Sequence, residues 1–333
     1  MRSRTPLVVP LLLGSAMAYV SRLRSDTMRQ PVRWRIFSIR NVWFSDLPED
    51  PRARAALAFS VLARKDKSWK RFQHMVDLAV EHQDKNPTIK SILDVGTDHG
   101  LLASSLATTG RFEKTLGVDV SPKALTSGGF ELLRRIRAVS ADQQTTECDA
   151  LTSPRKTLEF RLSDGLKQVQ PGEADSVCIA GMGVHLMNRI LQASSDTGVL
   201  EVDRLNCQHL ILQPTNSRPR NLMQLYHALH EYQWQLEDER IEYLAQRWYV
   251  SSSFTRPLSD RSSPSVNSNA TLPFPTSMLA RRPNSDPMKK ITLNYFAHHL
   301  EWIKQDESSS LGRNYRDEDL NWRDWVLGVL DQN

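Results

Sequence analysis

Two rhythms of apolar positions alternate along this chain. Short apolar runs at Ser91–Val95, Lys114–Asp119, Leu158–Leu162, Ser176–Ala180 and Leu210–Gln213 predict strands covered on both faces. Between them, apolar residues return every three or four positions. That spacing predicts helices over Leu47–His82, His99–Thr109, Ser121–Val139 (with Pro122 in its first turn), Val184–Ser194 and Pro219–Tyr232. Glu237–Leu244 and Trp248–Phe254 follow each other across a short connection, as an antiparallel hairpin does. Strand and helix in alternation, closed by a hairpin, predict an α/β fold with an open, mostly parallel sheet wound on both faces.

Two stretches break the rhythm. Residues 140–157 are polar and predict a long loop. Residues 256–287 hold six prolines among many Ser and Asn, which predicts a disordered insertion. After it, Ile291, Tyr295, His298, His299 and Trp302 recur at helical spacing, as do Leu320, Leu327 and Leu330, so two closing helices follow. The expected division is therefore 1–45 as a presequence, 46–255 as the α/β domain, 256–287 as the insertion and 288–333 as a helical extension.

Charge changes the picture at one end only. The 333 residues carry 43 Lys+Arg against 38 Asp+Glu, a net charge of +5, which invites a nucleic-acid partner. Through Ser45, however, there are eight arginines, no lysine and one acid, so the rest of the chain is slightly acidic. The same segment holds the apolar run Leu7–Leu13, then Ser15-Ala16-Met17-Ala18, then an Arg-rich, acid-poor stretch. A charged, apolar and small-residue order followed by basic residues is that of a targeting presequence for a plastid or mitochondrion. A basic tail on a cytoplasmic protein is the alternative, and no stable membrane association of the mature protein is expected. Three widely spaced cysteines, Cys148, Cys178 and Cys207, form no C-x-x-C pair and suggest neither a disulfide framework nor a metal site.

The chemistry concentrates at strand ends. Asp94-Val95-Gly96-Thr97-Asp98-His99-Gly100 joins the first strand of the predicted parallel sheet to a helix, and Asp119 ends the next strand. A glycine turn lets a ligand approach the backbone, and an acid ending the second strand can accept ribose hydroxyls. The three glycines that cradle a pyrophosphate are missing, so a nucleoside cofactor with a cationic centre, S-adenosylmethionine, fits better than a dinucleotide. Asp164-Gly165 and Ala180-Gly181-Met182-Gly183 end two further strands on the same side. Asp98 serving only as a helix cap, and Gln213 only as a strand-end hydrogen bonder, are the plain alternatives to catalytic roles.

Taken together, Asp94–His99, Asp164–Leu166, Ile179–Gly183 and Leu210-Ile211-Leu212-Gln213-Pro214 resemble the bacterial tRNA adenine-22 N1-methyltransferases (the TrmK family). The resemblance runs from about Leu47 to Phe254 and implies a class I, Rossmann-like methyltransferase sheet of seven strands with a C-terminal helical extension. It implies S-adenosylmethionine as cofactor and tRNA as substrate. Asp94, Gly96, Asp98 and His99 would contact the methionine part, Asp119 the ribose, and Asp164 and Gly165 the adenine side. Ala180, Gly181, Met182 and Gly183 would wall the reactive methyl. Asp98 and Gln213 are the candidates for easing the developing charge and orienting the target adenine. Arg134, Arg135, Arg218 and Arg220 are candidates for RNA contact, as are Arg281-Arg282 and Lys289-Lys290. Leu101, Val184 and Thr215 stand where the family usually has Tyr, Gly and Asn, which keeps open a different RNA, a small molecule, or a non-catalytic RNA-binding relative.

Overall fold

The computed structural model describes residues 37–40, 48–62, 69–128, 157–192, 200–256, 273–307 and 317–332. Eight strands form one sheet: β1 (Phe37–Arg40), β2 (Ser91–Val95), β3 (Lys114–Asp119), β4 (Thr157–Leu162), β5 (Ser176–Met182), β6 (His209–Pro214), β7 (Gln235–Leu244) and β8 (Arg247–Thr255). Their order is β1-β4-β3-β2-β5-β6-β8-β7. The run from β4 through β6 is parallel, while β8 pairs antiparallel with both β6 and β7. The order of strand addition reverses between β2 and β5, the point where open α/β sheets bind ligands beyond the strands' C-terminal ends.

Helices α1 (Pro51–Leu62), α2 (Trp69–Lys85), α3 (Leu101–Thr108), α4 (Pro122–Ser127), α5 (Val184–Leu191), α6 (Glu201–Arg204) and α7 (Pro219–Glu231) belong to the α/β unit. Helices α8 (Ser277–Ala280), α9 (Pro287–Glu307) and α10 (Asp317–Asp331) follow it. Side chains alternate across the sheet because the strand period is two. Ile92, Cys178 and Ile211 pack with Met75, Leu78 and Leu102 of α2 and α3 on one face. Leu93, Val177, Ile179, Leu210 and Leu212 pack on the other face with Leu222 and Leu225 of α7, and with Tyr295 and Trp322 of the closing helices. This is why the parallel strands read as continuous apolar runs.

Four expectations are corrected. The helical pattern over Leu47–His82 is two helices, with Arg52 of the first paired to Asp77 and Glu81 of the second. The helix starting at Pro122 ends at Ser127, because Gly128 follows; residues 129–156 lie outside those described. Phe37–Arg40 lie inside the expected presequence but pair antiparallel with β4, Phe37 opposite Phe160, so the sheet has an eighth strand. The edge of β4 thereby finds backbone partners. The rest of 1–45, except Phe37–Arg40, is outside the description. Residues 273–287 of the expected disordered insertion are packed: Thr276 and Leu279 are fully buried. Proline and serine composition hid the reason. The buried carboxylate of Glu239 needs donors, and the backbone N–H groups of Thr276 (2.8 Å) and Met278 (3.0 Å) supply them alongside Tyr226 Oη (2.6 Å).

Candidate active site

The turn after β2 is held from inside. Asp94 is buried, and one of its oxygens accepts the Thr97 hydroxyl at 2.7 Å and the Ala103 N–H at 3.2 Å. Burial pushes this carboxyl up to about 6, against those two hydrogen bonds and with the neighbouring Asp119 charge adding to the rise. Gly96 and Thr97 donate their N–H groups to Val118 O at 2.8 and 3.0 Å, tying the turn to β3. Gly96 has a φ of +73°, and a Cβ there would meet the Met182 methyl at 2.1 Å. The Ala180–Gly183 motif therefore closes directly over the first glycine of the Asp94–Gly100 turn.

Asp119 organises the opposite wall. One oxygen accepts the Asp98 N–H at 3.0 Å, which holds Asp98 at a φ of +45°, and the other accepts the Ser121 N–H at 2.8 Å. Each oxygen keeps acceptor capacity for a hydroxyl. The side chains of Asp98 and His99 are 64% and 63% exposed, with Nε2 3.7 Å from Oδ2, at the mouth of the turn. The N-cap position of α3 belongs to Gly100, so Asp98 is not that helix's cap residue. Ser163 N–H donates to Asp119 O at 2.9 Å and brings the Asp164–Gly165 turn alongside. Asp164 is exposed and within 2.5 Å of Lys167 Nζ. At the end of β5 the pairing with β6 shifts between Ala180 and Met182, and a Cβ at Gly181 or Gly183 would point into open space.

The turns ending β2, β3, β4 and β5 thus converge on one rim. An acceptor carboxylate faces it, acidic side chains stand at its mouth, and the two glycines leave room above β5. That donor and acceptor set suits a ligand bearing hydroxyls and a positive centre better than it suits a phosphate.

Other candidates are placed elsewhere or already engaged. Gln213, expected to orient an adenine edge, is buried and spends its amide nitrogen on Arg71 O (3.0 Å) and Ser251 Oγ (2.6 Å). It ties β6 to α2 and β8, the strand-end role weighed as its alternative. Arg218 is exposed, its guanidinium 5.0 Å above the Trp302 ring. Arg220 faces the buried Asp319 of α10 at 3.9 Å. Arg134 and Arg135 lie outside the described residues. Arg282 is bound to Asp238 and Asp286, and Lys289 Nζ to Ala280 O, so both serve the fold, while Arg281 and Lys290 are exposed.

Sequence reasoning missed Thr97 and Gly128. A Cβ on Gly128 would lie 2.4 Å from Asp98 O and 2.5 Å from His99 Cα, backbone that cannot yield. The Gly128-Gly129 pair inside a predicted helix was the available signal.

His82, His209 and Glu237 offer ligand atoms all within 4.8 Å of one another. The two imidazoles are stacked at 3.8 Å with planes 8° apart, so their in-plane lone pairs run parallel and do not converge on one ion.

No curated protein matches the sequence. Among solved structures, the chain is similar to the Bacillus subtilis m1A22 tRNA methyltransferase TrmK: 20% identity over 77% of this chain and 96% of that one, TM-score 0.47. It is similar to Mycoplasma capricolum TrmK in complex with S-adenosyl-homocysteine, at 15% identity over 73% and 90%, TM-score 0.46. A third is an uncharacterized Listeria monocytogenes protein, at 15% identity over 80% and 97%, TM-score 0.49. Residues 80–250, which span all the turns just described, match the family described as a methyltransferase domain. The match covers just over half of the sequence, and the chain belongs to that methyltransferase family.

Proposed function

We propose that this chain uses S-adenosylmethionine to methylate N1 of an adenine in tRNA, and that the residues before β1 carry it to an organelle. The observation behind the first part is the convergence of separate motifs on one rim: Met182 lies on Gly96, and Thr215 N–H donates to Met182 O at 2.9 Å. The four segments that resemble the adenine-N1 enzymes in sequence are therefore neighbours in space.

S-adenosylmethionine supplies an electrophilic methyl group on a positively charged sulfur. The residues fit it: Asp119 offers oxygens to ribose hydroxyls, and Asp98 puts negative charge at the mouth. Gly181 and Gly183 leave the space beside the methyl clear. Adenine N1 carries an in-plane lone pair, so no base is needed before attack. What the protein must do is expose that edge, which pairing or stacking would otherwise cover, and hold it in line. Asp98 is placed to ease the positive charge that the product base gains.

The test is nucleotide-resolution mapping of N1-methyladenosine after incubating the purified protein and S-adenosylmethionine with total RNA. A new signal at one adenine of tRNA is expected; modification of another RNA, or of none, rejects the assignment. Fusing residues 1–36 to a fluorescent protein tests the address, and diffuse cytoplasmic fluorescence would reject it.

A further inference from the structure

The closing helices reach the cofactor rim through residues 215–218, which join β6 to α7. On the rim side, Pro214 pairs with Met182 across the strand ends, and the Thr215 N–H donates to Met182 O at 2.9 Å. On the inner side Ser217 is buried, and its Oγ accepts the Val250 N–H of β8 at 2.9 Å. The Ser217 carbonyl accepts the Tyr295 hydroxyl of α9 at 2.7 Å. Asn216, between these anchors, is exposed.

The start of α7 depends on the same helices. Its N-cap residue, Arg218, makes no side-chain cap, which leaves first-turn N–H groups to find partners elsewhere. The Arg220 N–H donates to the carboxylate of Asp319 on α10, and Arg220 Nη1 stands 3.9 Å from Oδ2. Tyr295 itself has little freedom. It is fully buried, with the rings of Trp248, His299 and Trp322 centred 4.5–5.9 Å away. Burial pushes its hydroxyl well above the ordinary tyrosine value, so it stays a donor. A fixed Tyr295 therefore fixes the Ser217 carbonyl. Two peptide units further on, Thr215 holds Met182, whose methyl covers Gly96. Tyr226 is the contrast: its equally buried hydroxyl bonds to Glu239 and Ser252 instead.

We propose that Tyr295 is a positioning residue for methyl transfer: from α9 it sets residues 215–218, and through Thr215 the Met182 wall beside the reactive methyl. The closing helices are then part of the reaction geometry. Asp94 and Asp119 are held by their own turns, so the grip on the cofactor does not pass through Tyr295. This inference rests on the reading of residues 180–183 as the wall beside the methyl.

The experiment compares wild type, Tyr295→Phe and Tyr226→Phe, each of the two variants losing one buried hydroxyl and keeping its ring. Amide hydrogen exchange at Thr215, the melting temperature and S-adenosylhomocysteine affinity by calorimetry are measured first. Then kcat and KM for S-adenosylmethionine are read from methyl transfer to total RNA. Tyr295→Phe should speed exchange at Thr215 and lower kcat about tenfold, with KM and cofactor-product affinity within about twofold of wild type. Tyr226→Phe should lower the melting temperature at least as much, yet leave Thr215 exchange and kcat near wild type. Unchanged exchange at Thr215 in Tyr295→Phe, a kcat within twofold of wild type, or a fall in kcat that Tyr226→Phe matches overturns the assignment. A wild-type protein that methylates no RNA rejects the proposed function, and exchange at Thr215 then decides by itself whether Tyr295 sets the wall.

Discussion

The two ends of the same sheet are built on opposite rules. At the C-terminal ends of the parallel strands, Gly96, Asp98, Gly100, Gly165 and Gly181 all have positive φ, and Asp98, His99 and Asp164 face solvent. At the N-terminal ends a set of buried polar groups is paired within the protein. His209 sits 2.8 Å from both Ser176 Oγ and Ser253 Oγ, and His82 Nδ1 sits 2.8 Å from Glu237 Oε2. Asp175 accepts from Lys90 N, Ser91 N and Ser91 Oγ at 2.8–2.9 Å. A closed network stabilises and a strained, open one is left for a ligand, so position along a strand separates the two tasks.

The strongest way to break this contrast is Gly96→Val. A β-branched residue is strained at +73° and would also displace the Met182 methyl. Calorimetry should show cofactor-product affinity falling about 100-fold or more, roughly 2.7 kcal/mol, with a small change in melting temperature. Affinity within threefold of wild type would mean that the glycine turn does not carry the site.

At the other end the prediction inverts. Glu237→Ala strips His82 of its carboxylate and should destabilise the fold by about 3 kcal/mol in urea, while kcat/KM per folded molecule stays near wild type. A loss of activity without a loss of stability would contradict the division of labour.

Acid should also tell the ends apart. Burial, with His82 alongside, drives the His209 imidazole well below its usual range, so the unfolded chain takes up the proton first. Stability then falls as pH drops below about 6.5. Burial works against ionised Glu237, yet His82 beside it wins and lowers the carboxyl to about 2, which extends the loss from about 4.5 downward. Asp94 has the reverse sign: with its carboxyl raised to about 6, the folded state binds the proton more readily and gains stability as pH falls toward 4. Melting temperatures from pH 8 to 4 should therefore show a shallower acid slope in His209→Asn and a steeper one in Asp94→Asn than in wild type. Parallel slopes in all three proteins would remove the argument.

The smallest effect is expected at the margin. Arg218→Ala removes an exposed cation from the Trp302 face and should weaken tRNA binding only about two- to fivefold. The salt dependence should become shallower by about one phosphate contact, read from binding titrations at several ionic strengths.

Much of this was legible along the chain. Leu93, Val177 and Leu210 announce strands because burial on both faces demands continuous apolar runs, and Asp94, Gly96 and Asp119 announce the site by falling where those runs end. What misled is equally specific. Gln213 reads as a substrate contact at a strand end, yet its amide nitrogen is spent on Arg71 O and Ser251 Oγ, partners 142 and 38 positions away. Arg282 and Lys289 read as an RNA-binding face because nothing local shows Asp238 or the Ala280 carbonyl waiting for them. Residues 273–287 read as unstructured because composition cannot register a buried Glu239 that needs two backbone donors.

The sequence by itself determined the alternation of strand and helix, the rim where the chemistry lies, and the glycines and acids that build it. These follow from periodicity and turn chemistry, which act over a few residues. Only the tertiary structure decided which polar groups remain free. It assigned Asp94 to the turn, left Asp98 open, closed Met182 over Gly96 and brought Tyr295 to the Ser217 carbonyl. Whether a hydrogen-bonding group is spent or available depends on partners far away in sequence, and those are set by packing.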